Sequence, residues 1–92
     1  MTFQIRYQKK FLKDLASIPK PLRQKIEALV FEKIPMSSNP FSEFTIEKMT
    51  GYDGYYKFRQ GDYRIGIFYH NNILEFQRVL HRREIYRLFP SD

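Results

Sequence analysis

Residues 55–86, YYKFRQGDYRIGIFYHNNILEFQRVLHRREIY, carry the reading that decides the fold. Three segments rich in β-branched and aromatic residues, 55–60, 63–69 and 73–80, are separated there by Gly61-Asp62 and by His70-Asn71-Asn72. Strands joined by such short turn-forming pieces pair as hairpins, which predicts a three-stranded antiparallel meander.

The charges of this stretch fall in a pattern. Lys57 and Arg59 are two apart and leave a strand on the same face, while Tyr56 and Phe58 leave the other. The next segment adds Arg64, and after the third come His81, Arg82, Arg83 and Tyr86. Neighbouring strands lie about 5 Å apart, so these residues are expected to converge on one surface bearing several cations, an imidazole and a phenol. Such a surface suits a phosphate. Lys57 and Arg59 alone would be an ordinary solvated face, and it is convergence with Arg64 and the HRR segment that gives them chemical meaning.

With 92 residues the chain is expected to be one domain, residues 1–92, and 42% hydrophobic with 17% aromatic residues is ample for a core. Sixteen Lys and Arg against ten Asp and Glu give a net charge of +6, which favours a polyanionic partner such as nucleic acid or an acidic protein segment. The competing explanation is a merely basic protein, because nine of the sixteen cations precede residue 50 and can simply solvate helices.

There is no cysteine, so a disulfide framework and a thiolate metal site are both excluded. His70 and His81 lack the spacing of metal ligands, and no metal or other cofactor is expected. The first residues, MTFQIRYQKKFLKD, hold no apolar signal core, and no apolar run reaches the roughly 18 residues of a membrane span. The expectation is a cytoplasmic protein with no membrane partner.

Outward from the meander, Phe3, Ile5 and Tyr7 alternate with polar residues, the period of a half-buried strand. Phe11, Leu12, Leu15 and Ile18 then predict one face of a short helix that ends before Pro19. Pro21 suits a first helical turn, and Leu22, Ile26, Leu29, Val30 and Ile34 predict a second apolar stripe as far as Pro35. The two read as a helical hairpin covering one sheet face. The outward cations Lys9, Lys10, Lys13, Lys20, Arg23 and Lys25 are open between a nucleic-acid contact and a solvated face. PMSSNPFSE, residues 35–43, reads as a returning loop, 44–49 as a short strand, 50–54 as a break, and 83–88 as a terminal helix. The fold class is α+β: an N-terminal strand, a helical hairpin, then an antiparallel β-meander with a short C-terminal helix.

Several residues keep two readings. Tyr55, Tyr56, Tyr63 and Tyr69 are open between strand packing and stacking on bases, with packing the commoner use. Gly66 is open between letting a ligand backbone approach near Arg64 and marking a strand irregularity.

The order strand, helical hairpin, GYDGYYKFRQGDYRIGIFY and closing HRREIYR resembles the RelE branch of the RelE/ParE superfamily of toxins from type II toxin–antitoxin pairs. The resemblance spans nearly the whole chain. Its most specific pieces are Tyr56-Lys57-Phe58-Arg59, Gly61-Asp62-Tyr63-Arg64 and His81-Arg82-Arg83-Glu84-Ile85-Tyr86.

The resemblance implies a metal-independent messenger-RNA endonuclease working in the ribosomal decoding site. It further implies neutralisation by a cognate RelB-like antitoxin, with operator DNA reached only through that antitoxin. Metal-independent cleavage uses the 2′-hydroxyl beside the scissile phosphate as nucleophile. It needs a base for its proton, cations for the charge on phosphorus, and an acid for the departing 5′-oxygen.

By the resemblance, Lys57 matches the family's first basic position, as base or phosphate stabiliser. Arg59 stands where some relatives carry a second lysine; a guanidinium stays protonated and can stabilise charge but hardly act as base. Arg64 matches the family's phosphate-binding arginine. Arg82 or Arg83 matches the late arginine that assists the leaving oxygen, and Tyr86 the late tyrosine that stacks on or orients the RNA. His81 is open between acid–base chemistry, since imidazole changes charge near neutral pH, and a structural place at a strand end. Two alternatives stand beside this one. A ParE-like toxin would poison DNA gyrase by protein contact, with no need of clustered cations at a scissile phosphate, and a plain nucleic-acid-binding module would explain the charge but not Tyr86.

Overall fold

The computed structural model describes residues 3–90. The chain opens with β1 (Gln4–Tyr7) and α1 (Lys9–Ala16). Phe11, Leu15 and Ile18, spaced to fall on one side of a helix and its exit, are all buried. Leu12, expected on the same face, is 43% exposed. It lies about 100° round the helix from Phe11, and α1 meets the rest of the molecule along a narrower stripe than its apolar residues offered.

Pro19 begins the next helix, α2 (Lys20–Ala28), with Pro21 in its first turn. This helix does not stop before Pro35. It widens into a π turn (Leu29–Lys33) and continues as α3 (Ile34–Met36). Proline lacks an N–H and crowds the carbonyl four residues back, and the widened turn immediately before it changes that spacing. The Tyr7 hydroxyl donates a 2.6 Å hydrogen bond to the Val30 carbonyl in this turn. Ile26, Val30 and Ile34 are fully buried, while Leu22 and Leu29 lie at the core margin.

Residues 35–43, expected as loop throughout, contain one helical turn, α4 (Pro40–Glu43), with Pro40 buried in its first turn. Then come β2 (Ile46–Lys48), β3 (Tyr55–Gln60), β4 (Tyr63–His70) and β5 (Ile73–His81). The helix expected over 83–88 is the shorter α5 (Ile85–Leu88), because the chain turns first, with the Glu84 N–H donating to the His81 carbonyl at 2.8 Å. His70 belongs to β4, and the tight turn is Asn71-Asn72, both with positive φ (51° and 64°), a backbone that asparagine tolerates well. At the other hairpin Gly61 takes φ 59°.

The sheet runs β1-β5-β4-β3-β2. The meander is antiparallel, β2 adds antiparallel to β3, and β1 pairs in parallel with β5 from Gln4↔Ile73 to Tyr7↔Phe76. One face carries Phe58, Ile65, Ile67, Leu74, Phe76 and Val79 against Phe11, Leu15, Ile26, Val30 and Ile34 of the helices. On the opposite face a smaller cluster of Met49, Ile85 and Phe89, flanked by Tyr55 and Leu80, is capped by α5.

The β4–β5 ladder has one irregularity. Gly66 pairs with Arg78 and Ile67 with Phe76, so Gln77 is an extra residue on β5, a β-bulge. The Asp14 carboxylate of α1 docks there, accepting from the Arg78 guanidinium at 2.7 and 3.1 Å and from the Val79 N–H at 3.2 Å. That hydrogen bonding holds Arg78 above its ordinary pKa despite partial desolvation.

Candidate functional site

Alternation along β3 and β4 puts Lys57 and Arg59 on the sheet face away from the main core, with Arg64 beside them. Phe58 and Ile65, their partners in the pattern, are buried on the other side. Arg59 and Arg64 stand directly opposite each other across the pair, and Lys57 stands opposite Gly66. Two like charges at facing positions cost stability. They are tolerated here at the edge of an open cleft of about 230 Å³ lined by Glu47, Lys57, Arg59, Arg64 and Tyr86.

Each wall of the cleft has a structural cause. Arg64 Nη1 donates to the carbonyls of Gly61 (3.0 Å) and Tyr63 (3.1 Å), so the hairpin turn orients the guanidinium and leaves its other nitrogens for a ligand. The four-residue α5 carries Tyr86 over the sheet, where Lys57 Nζ donates to the tyrosine hydroxyl. The ammonium lies 4.5 Å from the ring centroid. With the hydroxyl as its nearer partner, this is a hydrogen bond at the ring's edge more than a cation–π contact.

Glu47, which the sequence did not single out, stands opposite Lys57 across β2 and β3. The available signal was the alternation of Ile46 toward the main core with Glu47 and Met49 toward the other face. It is a weak signal in a three-residue strand. Glu47 brings the cleft its one carboxylate, a proton acceptor among donors.

The HRR segment does not join this group. His81 pairs with Tyr63, and their rings meet edge-on at 5.6 Å on the helix-covered side of the sheet. The reason is the bulge at Gln77: one extra residue reverses the parity of everything after it. The Arg82 guanidinium reaches toward the Asp62 carboxylate (3.7 Å), and the Arg82 backbone N–H donates to the Asp62 carbonyl at 2.7 Å, which ties the end of β5 to the β3–β4 turn. Arg83 is exposed, with its N–H donated to His81 Nδ1 at 3.2 Å. The cleft thus holds Lys57, Arg59, Arg64 and Tyr86 from the sequence-derived set, while His81, Arg82 and Arg83 lie outside its lining.

A family described as the ParE toxin of type II toxin-antitoxin system, parDE, matches residues 5–86 of this chain. The chain belongs to the RelE/ParE toxin superfamily. Toxin RelE3 of Methanocaldococcus jannaschii is 38% identical over 87 residues, covering 95% of this toxin and 99% of that one. The crystal structure of a RelB–RelE antitoxin–toxin complex from Methanococcus jannaschii matches at 39% identity with a TM-score of 0.77, over 92% of this toxin and 99% of that chain. An archaeal RelE–RelB complex from Pyrococcus horikoshii, at 21% identity and a TM-score of 0.67, shares the fold over 92% of this toxin and all of that chain (100%). The toxin lies on the RelE branch and is RelE-like, the toxin of a type II toxin–antitoxin system.

Proposed function

We propose that this toxin is an endoribonuclease that cuts messenger RNA on the ribosome without a metal ion. The observation that carries this is the facing pair Arg59 and Arg64, set with Lys57 and Tyr86 around one cleft. Opposed cations are costly in a sheet, and a phosphate turns that cost into binding. One carboxylate among three cations is, moreover, a poor nest for a divalent ion, which wants several oxygen ligands.

The chemistry is an in-line transesterification. The 2′-oxygen bonds to phosphorus as the bond to the 5′-oxygen breaks, giving a 2′,3′-cyclic phosphate and a free 5′-hydroxyl. Arg64, steadied by the hairpin turn, and Arg59 take the non-bridging oxygens, where a guanidinium can hold two at once. The 2′-hydroxyl proton goes to Glu47, the acceptor within the cleft, and the leaving oxygen takes a proton from Lys57 or Tyr86, the donors within it. Arg82 and Arg83 serve flanking phosphates or ribosomal RNA instead of the reacting bond. The cleft is open to solvent, and the ribosome supplies the substrate's alignment. A RelB-like antitoxin, the partner in the complexes of the relatives, neutralises it, and the net charge of +6 suits an acidic antitoxin segment.

The test is cleavage of messenger RNA on intact ribosomes with chelator present. Arg64→Ala is expected to lower the rate on the order of 10²- to 10³-fold, with thermal unfolding nearly unchanged and naked RNA cut poorly by the wild type. Full cleavage by Arg64→Ala would eliminate this site. A toxin that arrests growth with no cleavage even as wild type would instead support a gyrase poison, in line with the ParE name of the matched family.

A further inference from the structure

We propose that Gly66 and Phe89 form a seat that fixes where Tyr86 stands over the cleft, making both of them positioning residues; this rests on the ribonuclease reading above. Gly66 does not have the positive φ of Gly51, Gly54 and Gly61. What the position requires is therefore room and not backbone freedom. A Cβ built on Gly66 would meet three atoms of the Phe89 ring at 2.8 Å each. The ring lies flat where a side chain would stand, next to Lys57, which is the Cα partner of Gly66. The approach that glycine permits here is that of the toxin's own C-terminal segment.

That contact bears on Tyr86 because α5 takes its position from the residues it packs. A four-residue helix has almost no rigidity of its own. It is fixed by Ile85, fully buried, and Phe89, 2% exposed, four residues apart on one side. Met49, Leu80 and Tyr55 complete the seat, with the Tyr55 and Phe89 rings 5.6 Å apart. Tyr86 projects between these anchors, 63% exposed, with Lys57 as its hydrogen-bond partner. A methyl at position 66 would force the ring from 2.8 Å to ordinary contact, a retreat of roughly 1 Å. Misplacement on that scale costs a catalytic group on the order of 10²-fold.

Gly66→Ala is expected to lower single-turnover cleavage on ribosomes on the order of 10²-fold. In a Tyr86→Ala background it should lower it no further, since the group it positions is already gone. In the isolated toxin, the nuclear Overhauser contact between the Lys57 side chain and the Tyr86 ring should vanish in Gly66→Ala. Phe89→Leu, which removes the ring but keeps an apolar filler, should weaken the same contact, and carries the test if Gly66→Ala does not fold. The double variant Gly66→Ala/Phe89→Leu should recover cleavage above Gly66→Ala alone. Persistence of the Lys57–Tyr86 contact in Gly66→Ala and Phe89→Leu, or losses that multiply with Tyr86→Ala, would overturn the seat. The contact is read without RNA, so a wild type that cuts nothing would refute the ribonuclease reading and still leave the seat decided by the spectrum.

Discussion

Lys57 and Tyr86 hold each other in the free toxin, and in the proposed reaction a substrate phosphate competes for that ammonium. Tyr86→Phe keeps the ring and deletes only the hydroxyl. The side chain is 63% exposed, so stability should move by no more than about 0.5 kcal/mol. Cleavage should fall roughly 10-fold, less than the 10²- to 10³-fold expected for Lys57→Ala. Single-turnover rates of the two variants side by side decide it, and equal losses would mean that the hydroxyl alone makes Lys57 useful. Lys57, Arg59 and Arg64 could be placed from the sequence because simple alternation over two regular strands puts them on one face. His81 could not, because nothing in FQRVLH announces that Gln77 is the extra residue that turns the histidine to the helix side. Glu47 was hidden for another reason: its strand is three residues long and its partner is ten positions away in sequence.

Among the elements, the widened helical turn shows how a period can be right and a helix type invisible. Ile26, Val30 and Ile34 recur every four residues, a spacing that a plain α-helix and a helix with one π turn both satisfy. What reveals the turn is tertiary: the Tyr7 hydroxyl reaching the Val30 carbonyl from another element. Burial pushes the Tyr7 phenol above its ordinary pKa. The folded toxin therefore keeps this proton longer than the unfolded chain, which ionises near pH 10. Stability from this source is intact below about pH 10 and declines as pH rises beyond it. Tyr7→Phe should cost about 1 kcal/mol at neutral pH, since the carbonyl loses its donor, and should flatten the alkaline decline. Urea unfolding at neutral and strongly alkaline pH measures both, and an unchanged alkaline slope would reject the assignment.

In the whole molecule, the first strand closes on the last. Gln4 pairs with Ile73 in parallel, roughly 70 positions apart, and β5 is the partner of both β1 and β4. Such distant pairing pays its loop-closure entropy before any contact repays it. The meander could be read from local turns, but the parallel partner of β1 could not, since no local signal encodes a pairing at that distance. A chain ending at Asn72 should lack a cooperative thermal transition, and a native-like melt by circular dichroism would disprove this. Synthesis adds a schedule to the geometry. The cleft takes walls from Glu47 to Tyr86, and the sheet that holds them is finished only when β5 and α5 have been made. On the proposed reading, a nascent copy stays harmless until residues as far as Tyr86 have been made, and the cell gains that interval to have a neutralising partner waiting.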